Sequence, residues 1–369
     1  MNVEGQGSGA LPARAHTVFM VGAFPPPVHG VAVVNEAVRV QLERIGIPLV
    51  GINMAAPSLD RSLTARLARL PNALRGMLRF AIRAHRGETL YMSVSGGFGQ
   101  LYDVLYLLVA RLRGMRIFLH HHSYAYLNQQ KALTWLLVSV AGSDATHIAL
   151  SAGMATKLQR AYEKAKRVVT VSNAALLTEG TGATFLSHNA MGTIGFLGTI
   201  SAEKGVYDFL CVAEKLEAMS IPVQAILAGP FQDLETERKV LERLARLRSI
   251  EYVGPKYGQG KVAFFREIDV LLFPSKNEAE PVTVHEAMMN GVPVIAYGRG
   301  AIGEIVIPAC GLVICPTKDF VNQAVAQLKI WREFPQSLEE ASNAARERFL
   351  TIYTENKKRW DEVCTELCS

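Results

Sequence analysis

The chain has little with which to build a disulfide framework or a zinc site. Its five cysteines, Cys211, Cys310, Cys315, Cys364 and Cys368, are sparse and late, and none falls in a C-x-x-C pair. They read as reduced thiols, with Cys364 and Cys368 one helical turn apart for packing rather than for a metal. No D-x-D occurs anywhere, so nothing marks a catalytic divalent metal. No apolar run is long enough to span a bilayer. Met1–His16 lacks the apolar core of a signal peptide and reads as a flexible leader. Together these absences predict a cytoplasmic protein.

Acidic residues are missing from one stretch in particular. Between Asp60 and Glu88 there is none, against seven arginines: Arg61, Arg66, Arg69, Arg75, Arg79, Arg83 and Arg86. Leu63, Leu67, Leu70, Leu74, Met77, Leu78 and Ile82 recur among them at roughly helical spacing, which predicts a pair of basic amphipathic helices broken at Pro71. Such a face is either a solvated helix surface or a peripheral contact with an anionic membrane, worth about 1 kcal/mol per basic residue there. No nucleic-acid motif or aromatic-interleaved basic groove accompanies the charge, so nucleic acid is not an expected partner.

What is present is a well-cored globular chain. Its 369 residues, 49% hydrophobic and 20% charged, suit two domains of ordinary size. Short apolar runs alternate with helical patterns. Strands are expected at His16–Val21, Pro48–Asn53, Thr89–Ser93, Arg116–Leu119, Ala145–Ser151 and Arg167–Ser172, with helices at Val31–Ile45 and Gln100–Arg113. Thr178–Asn189 is polar and reads as a hinge. Strands resume at Thr193–Leu197, Val223–Ala228, Ile250–Val253, Asp269–Phe273 and Val292–Tyr297, and helices at Val206–Met219, Lys261–Glu267, Pro281–Met289 and Ala301–Val306. Three more helices, Val321–Trp331, Leu338–Phe349 and Ile352–Leu367, finish the chain. This alternation predicts an α/β protein of two doubly wound domains facing across a cleft. The expected limits are a leader at 1–16, a first domain at 17–180, a second at 190–345, and a last helix at 346–369 crossing back to the first.

The stretch Asp269–Val306 carries the chemistry. Glu278 follows a buried strand, at the end where open α/β sheets bind ligands. Glu286 comes eight positions later, so two carboxylates can reach one polyhydroxylated ligand from one side. Glu280, in the same polar loop, has no role by spacing. The run Glu278-Ala-Glu-Pro-Val-Thr-Val-His-Glu286-Ala-Met, then Gly291-Val-Pro-Val, Gly300 and Glu304, resembles the E-x7-E signature of retaining GT-B glycosyltransferases. Sucrose synthases and bacterial polysaccharide and lipopolysaccharide enzymes belong to that family, and the likeness extends from about Val18 to Val313.

The resemblance implies roles residue by residue. Glu278 would bind the donor sugar and Glu286 the ribose. Lys204, before Gly205, would hold the donor diphosphate. The arginine the family pattern places five residues earlier is Thr199 here, which removes one cationic clamp. Arg299 is a candidate to replace it. Gly30, with His29 beside it, faces the diphosphate and acceptor. A histidine at the end of the Arg116–Leu119 strand lies against the donor sugar. His120 and His122 both match, and His122 stands further out. Asn173 corresponds to the Asn that follows the last strand before the crossover. Gly229 and Tyr257 would wall the base pocket, and the turn of Gly300, Ala301 and Ile302 would offer amides to the diphosphate. The activity implied is metal-independent, retaining transfer of a hexose from a nucleotide sugar, UDP favoured over GDP, to a lipid-linked or saccharide acceptor. No cofactor is implied. The alternatives are a non-catalytic nucleotide-sugar-binding homologue, a GT-B sugar-nucleotide epimerase or a phosphorylase. The Gly97-Phe-Gly99 turn lacks the spacing of a nicotinamide-binding loop.

Overall fold

The computed structural model describes residues 16–26, 30–55, 70–177 and 191–368. The expected hinge Thr178–Asn189, His29 and the arginines Arg61, Arg66 and Arg69 lie outside the described residues.

Two parallel six-stranded sheets organise the chain. The first contains β1 (Val18–Gly22), β2 (Leu49–Asn53), β3 (Thr89–Val94), β4 (Arg116–His121), β5 (Thr146–Ala149) and β6 (Arg167–Thr170), in the order β2-β1-β3-β4-β5-β6. The second contains β7 (Thr193–Leu197), β8 (Gln224–Ala228), β9 (Ile250–Tyr252), β10 (Val270–Phe273), β11 (Val294–Tyr297) and β12 (Gly311–Ile314), in the order β12-β11-β10-β7-β8-β9. Both are doubly wound, the GT-B arrangement. The central strands read as unbroken apolar runs because helices cover both their faces.

In the first domain, helices α2 (Leu70–Arg83), α3 (Gln100–Leu112), α4 (Ala132–Ala141) and α5 (Ala152–Ala161) pack on one face of the sheet. Helix α1 (Gly30–Arg44) covers the other. The second domain adds α6 (Val206–Ala218), α7 (Leu234–Leu244), α8 (Gln259–Glu267), α9 (Val282–Met289), the single turn α10 (Ile302–Ile305), α11 (Phe320–Glu333) and α12 (Pro335–Cys368).

Pro71 lies in the first turn of α2, where a missing N–H leaves nothing unsatisfied, and the helix expected before it lies outside the described residues. Other details differ from the sequence reading. The last two expected helices are one, α12, of 34 residues. Its buried positions Leu338, Ala341, Ala345, Phe349 and Ile352 continue through Asn356, Trp360, Val363, Cys364 and Leu367 at unbroken helical spacing. The early ones join the core of the second domain and Trp360 enters that of the first, beside Tyr91 and Phe118. Strand β12, four residues long, falls where no strand was expected.

Candidate active site

Each sheet has a point where strand order reverses, and parallel sheets open their ligand crevice there. In the second sheet it lies between β7 and β10, neighbours in space although far apart in sequence. The loops leaving these strands bring Lys204 and Glu278 together: Lys204 Nζ is 2.5 Å from Glu278 Oε1. The same oxygen accepts from Ser275 Oγ at 2.7 Å. Lys276 N donates to the Glu203 carbonyl at 2.9 Å and Asn277 Nδ2 to Glu203 Oε1 at 3.0 Å, so one loop is stitched to the other. Gly205 lets them approach. Its φ of +80° is left-handed, and a Cβ there would collide with the Pro274 carbonyl.

A cavity of about 260 Å3 lies between the two domains, with Lys204, Glu278 and Asn277 on one side and Gly30, His122 and Tyr124 on the other. Burial pushes the His122 imidazole down to about 3. It is therefore neutral near pH 7 and offers a hydrogen bond rather than a charge. Its Nε2 is buried without a partner among the described residues. His120 does not line the cavity. It packs behind, its ring 4.0 Å from that of His122 and its Nδ1 2.5 Å from Tyr91 Oη. His121 points to the opposite face of the strand, with Tyr126 Oη at 3.1 Å and His147 Nδ1 at 3.0 Å.

Several expected site residues are placed apart from this cavity. Glu286 is engaged by Lys261 Nζ, 2.5 Å from both carboxylate oxygens. The two glutamates of the motif thus each meet a different lysine, and they do not share a single partner. Gly300 has a φ of +56° and packs on the Glu278–Ala279 backbone, where any Cβ would clash. The amides of Ala301 and Ile302 already donate to the carbonyls of Ala279 and Arg299, at 2.7 and 3.0 Å, and both side chains are core. Gly229 is likewise engaged, its N–H donating to Gly254 and its carbonyl accepting from Tyr252 Oη. Tyr257 is exposed, Thr199 follows β7 outside the cavity lining, and Arg299, beside Tyr297 and Cys315, is outside that lining too.

The sequence reading missed the contacts that join the domains. Glu280 is buried. Its carboxylate accepts from Ser172 Oγ at 2.5 Å and Asn173 N at 2.6 Å, and lies 3.1 Å from His285 Nε2. Asn173 Nδ2 donates to the Glu280 carbonyl at 2.8 Å, so Asn173 forms part of the cavity wall through this clasp. Glu304 makes a second link, accepting from Ser151 Oγ at 2.7 Å. Among the described residues, no group of three or more His, Cys, Asp or Glu is placed to hold a metal ion.

The sequence profile of the glycosyl transferases group 1 family matches residues 183–348. The second domain belongs to that family. The stretch that this group 1 domain shares with curated relatives is partial. The chain is 27% identical over 128 residues to 2-deoxystreptamine N-acetyl-D-glucosaminyltransferase of Streptomyces fradiae, covering 34% of this chain and 30% of the relative. It thus spans under a third of the length of that relative. Solved structures match over nearly the whole chain. Anabaena HepE in complex with UDP superposes with a TM-score of 0.68 at 16% identity, covering 94% of this chain and all of that one (100%). Sucrose-phosphate synthase from Thermosynechococcus elongatus gives 0.71 at 16% identity, covering 95% and 99%. These likenesses extend the fold of the group 1 domain's relatives to both halves of the chain.

Proposed function

We propose that the chain is a retaining glycosyltransferase that moves a hexose from a nucleotide sugar, a UDP-sugar before a GDP-sugar, to a lipid-linked or saccharide acceptor in cell-surface polysaccharide or glycolipid synthesis. It works in the cytoplasm and meets an anionic membrane surface through its arginine-rich first domain. The observation that carries the transfer is the meeting of Lys204 and Glu278 at the switch point of a group 1 domain, opposite His122 and Gly30 across one cavity.

The chemistry follows from those groups. An ammonium has three donors, so Lys204 can hold Glu278 and still donate to two oxygens of a departing diphosphate, offsetting the charge that develops there. Glu278 Oε2 takes neither of the bonds that Oε1 makes and is available to a sugar hydroxyl. Neutral His122 donates to a hydroxyl from the opposite wall. Binding of UDP by the HepE structure supports the choice of nucleotide.

The test is to incubate the full chain with UDP- and GDP-hexoses, follow nucleotide release, and read the anomeric configuration of the product by NMR. Retention with UDP release is expected. Lys204→Ala and Glu278→Gln should lower turnover by about a hundredfold or more at unchanged melting temperature; full activity in either variant overturns the assignment. One observation favours a second reading. Thr199 supplies no charge where the resembling pattern has an arginine, so a chain that binds UDP-hexose without releasing UDP is a binding-only homologue.

A further inference from the structure

The membrane contact proposed above leaves open which surface makes it, and the structure singles one out. Helix α3 packs its Val104, Leu107 and Ala110 side into the first core and turns Leu101, Leu105, Leu108 and Leu112 to the outside. Every exposed position of α3 from Leu101 to Leu108 is a leucine. With Phe98 just before the helix, the spacing of 3, 4, 3 and 4 residues makes one stripe about 20 Å long. Scattered surface leucines need no explanation, but an unbroken stripe does.

The flanks of the stripe extend it and give it charge. On one side α2 exposes Leu78 and Ile82, with Arg75, Arg79 and Arg83 beside them and Arg86 just past the helix end. Arg113 closes that side by donating to the Ala81 and Ala84 carbonyls at the end of α2. On the other side α4 exposes Trp135 and Leu136. Between Arg75 and Arg113 the acids are Glu88 and Asp103, and both are buried. The surface is thus apolar along its centre and positive along its edge. An anionic bilayer is the complement of that: acyl chains for the leucines and phenylalanine, phosphates for the arginines, and the interfacial layer for Trp135.

We infer that α3, with the flanking faces of α2 and α4, lies on an anionic phospholipid bilayer. Phe98 belongs to the turn directly after β3, the strand next to β4, which delivers His122 to the cavity. Docking on α3 therefore brings the cavity-facing edge of the first sheet to the lipid surface, and the acceptor this arrangement fits is a lipid-borne one. The inference rests on the membrane contact proposed above and not on the transfer chemistry.

Trp135 gives the test its readout. The other two tryptophans, Trp331 and Trp360, are buried, so a change in tryptophan emission on adding lipid reports Trp135. The full chain is mixed with phosphatidylcholine vesicles with and without phosphatidylglycerol, and co-sedimentation and emission are recorded. Binding and a blue shift are expected with phosphatidylglycerol only. Leu105→Glu with Leu108→Glu should weaken binding by at least about tenfold and abolish the shift. Leu234→Glu, at an exposed leucine of α7 in the other domain, should change neither. Failure of the wild-type chain to bind any vesicle overturns both this inference and the membrane contact. Loss of binding in Arg79→Glu with Arg83→Glu, but not in the leucine variant, overturns the α3 surface alone. A lipid-free dimer seen by ultracentrifugation and dissolved by the leucine variant would make the face an interface between copies and overturn the bilayer. The rise in melting temperature with UDP should persist in the leucine variant, which keeps this result separate from the fate of the transfer proposal.

Discussion

Lys204 and Glu278 meet at 2.5 Å, seventy-four residues apart, because β7 and β10 are adjacent in the second sheet. The pair separates two functions that sequence places in one site, a cation for phosphate and an acceptor for sugar hydroxyls. Lys204→Ala should therefore weaken binding of UDP itself. Glu278→Gln should leave UDP affinity within about threefold while lowering turnover of UDP-hexose by about a hundredfold. Calorimetric titration beside a turnover assay reads the split. Equal loss of UDP affinity in both variants would contradict it.

Glu280 should matter for stability rather than for nucleotide binding. Truncating it to alanine leaves the Ser172 hydroxyl, the Asn173 amide and His285 without their buried acceptor. That costs roughly 2–4 kcal/mol. Urea unfolding should show the loss, with UDP binding retained once the variant is folded. A variant as stable as wild type would mean that the interdomain clasp contributes nothing.

Acid should destabilise the protein already at pH values above the usual carboxylate range. Burial holds His120 and His121 well below their usual range, His122 at about 3 and His147 at about 4. The unfolded chain takes up those protons near 6.5, so the stability they contribute is present above 6.5 and lost as pH falls toward 4 and 3. Asp103 acts in the opposite sense. Burial raises it to about 7, so its contribution is present below 3.8 and lost as pH rises through 7. Four histidines outweigh one aspartate. Between pH 6.5 and 5 the unfolding free energy should drop by more than one proton's worth, about 1.4 kcal/mol per pH unit. Urea midpoints that stay level or rise over this interval would contradict the reading.

Restoring a cation beside the phosphate loop gives a gain-of-function prediction. Thr199→Arg should tighten UDP binding by up to about tenfold, because a guanidinium adds a charge-assisted bond that a hydroxyl cannot. An unchanged dissociation constant would show that position 199 does not face the diphosphate.

The strands and the E-x7-E loop were legible because buried parallel strands are short apolar runs and because Pro281 and Gly291 punctuate the helix between them. The partners were not. Nothing local distinguishes Glu280 from a solvated loop residue; its burial depends on Ser172 and Asn173, more than a hundred residues away (107 to Asn173). Lys261 pairs with Glu286 only because α8 packs beside α9. Amide engagement at Ala301 and Ile302 follows from how the Gly300 turn rests on Ala279, which no spacing rule reveals. The division of the last helix failed for a different reason. Its apolar stripe stays in phase while the core it enters changes from the second domain to the first.

The central claim is that the cavity between the domains takes a nucleotide sugar, and a thermal-shift titration with UDP, GDP, ADP and their hexose conjugates, with NAD as a control, tests it most directly. At a hundred times its dissociation constant a ligand adds about 2.7 kcal/mol, a shift of several degrees for a chain of this size. The account predicts that UDP and a UDP-hexose raise the melting temperature, that NAD does not, and that Lys204→Ala removes the rise. No shift with any nucleotide, or an undiminished shift in Lys204→Ala, would contradict it.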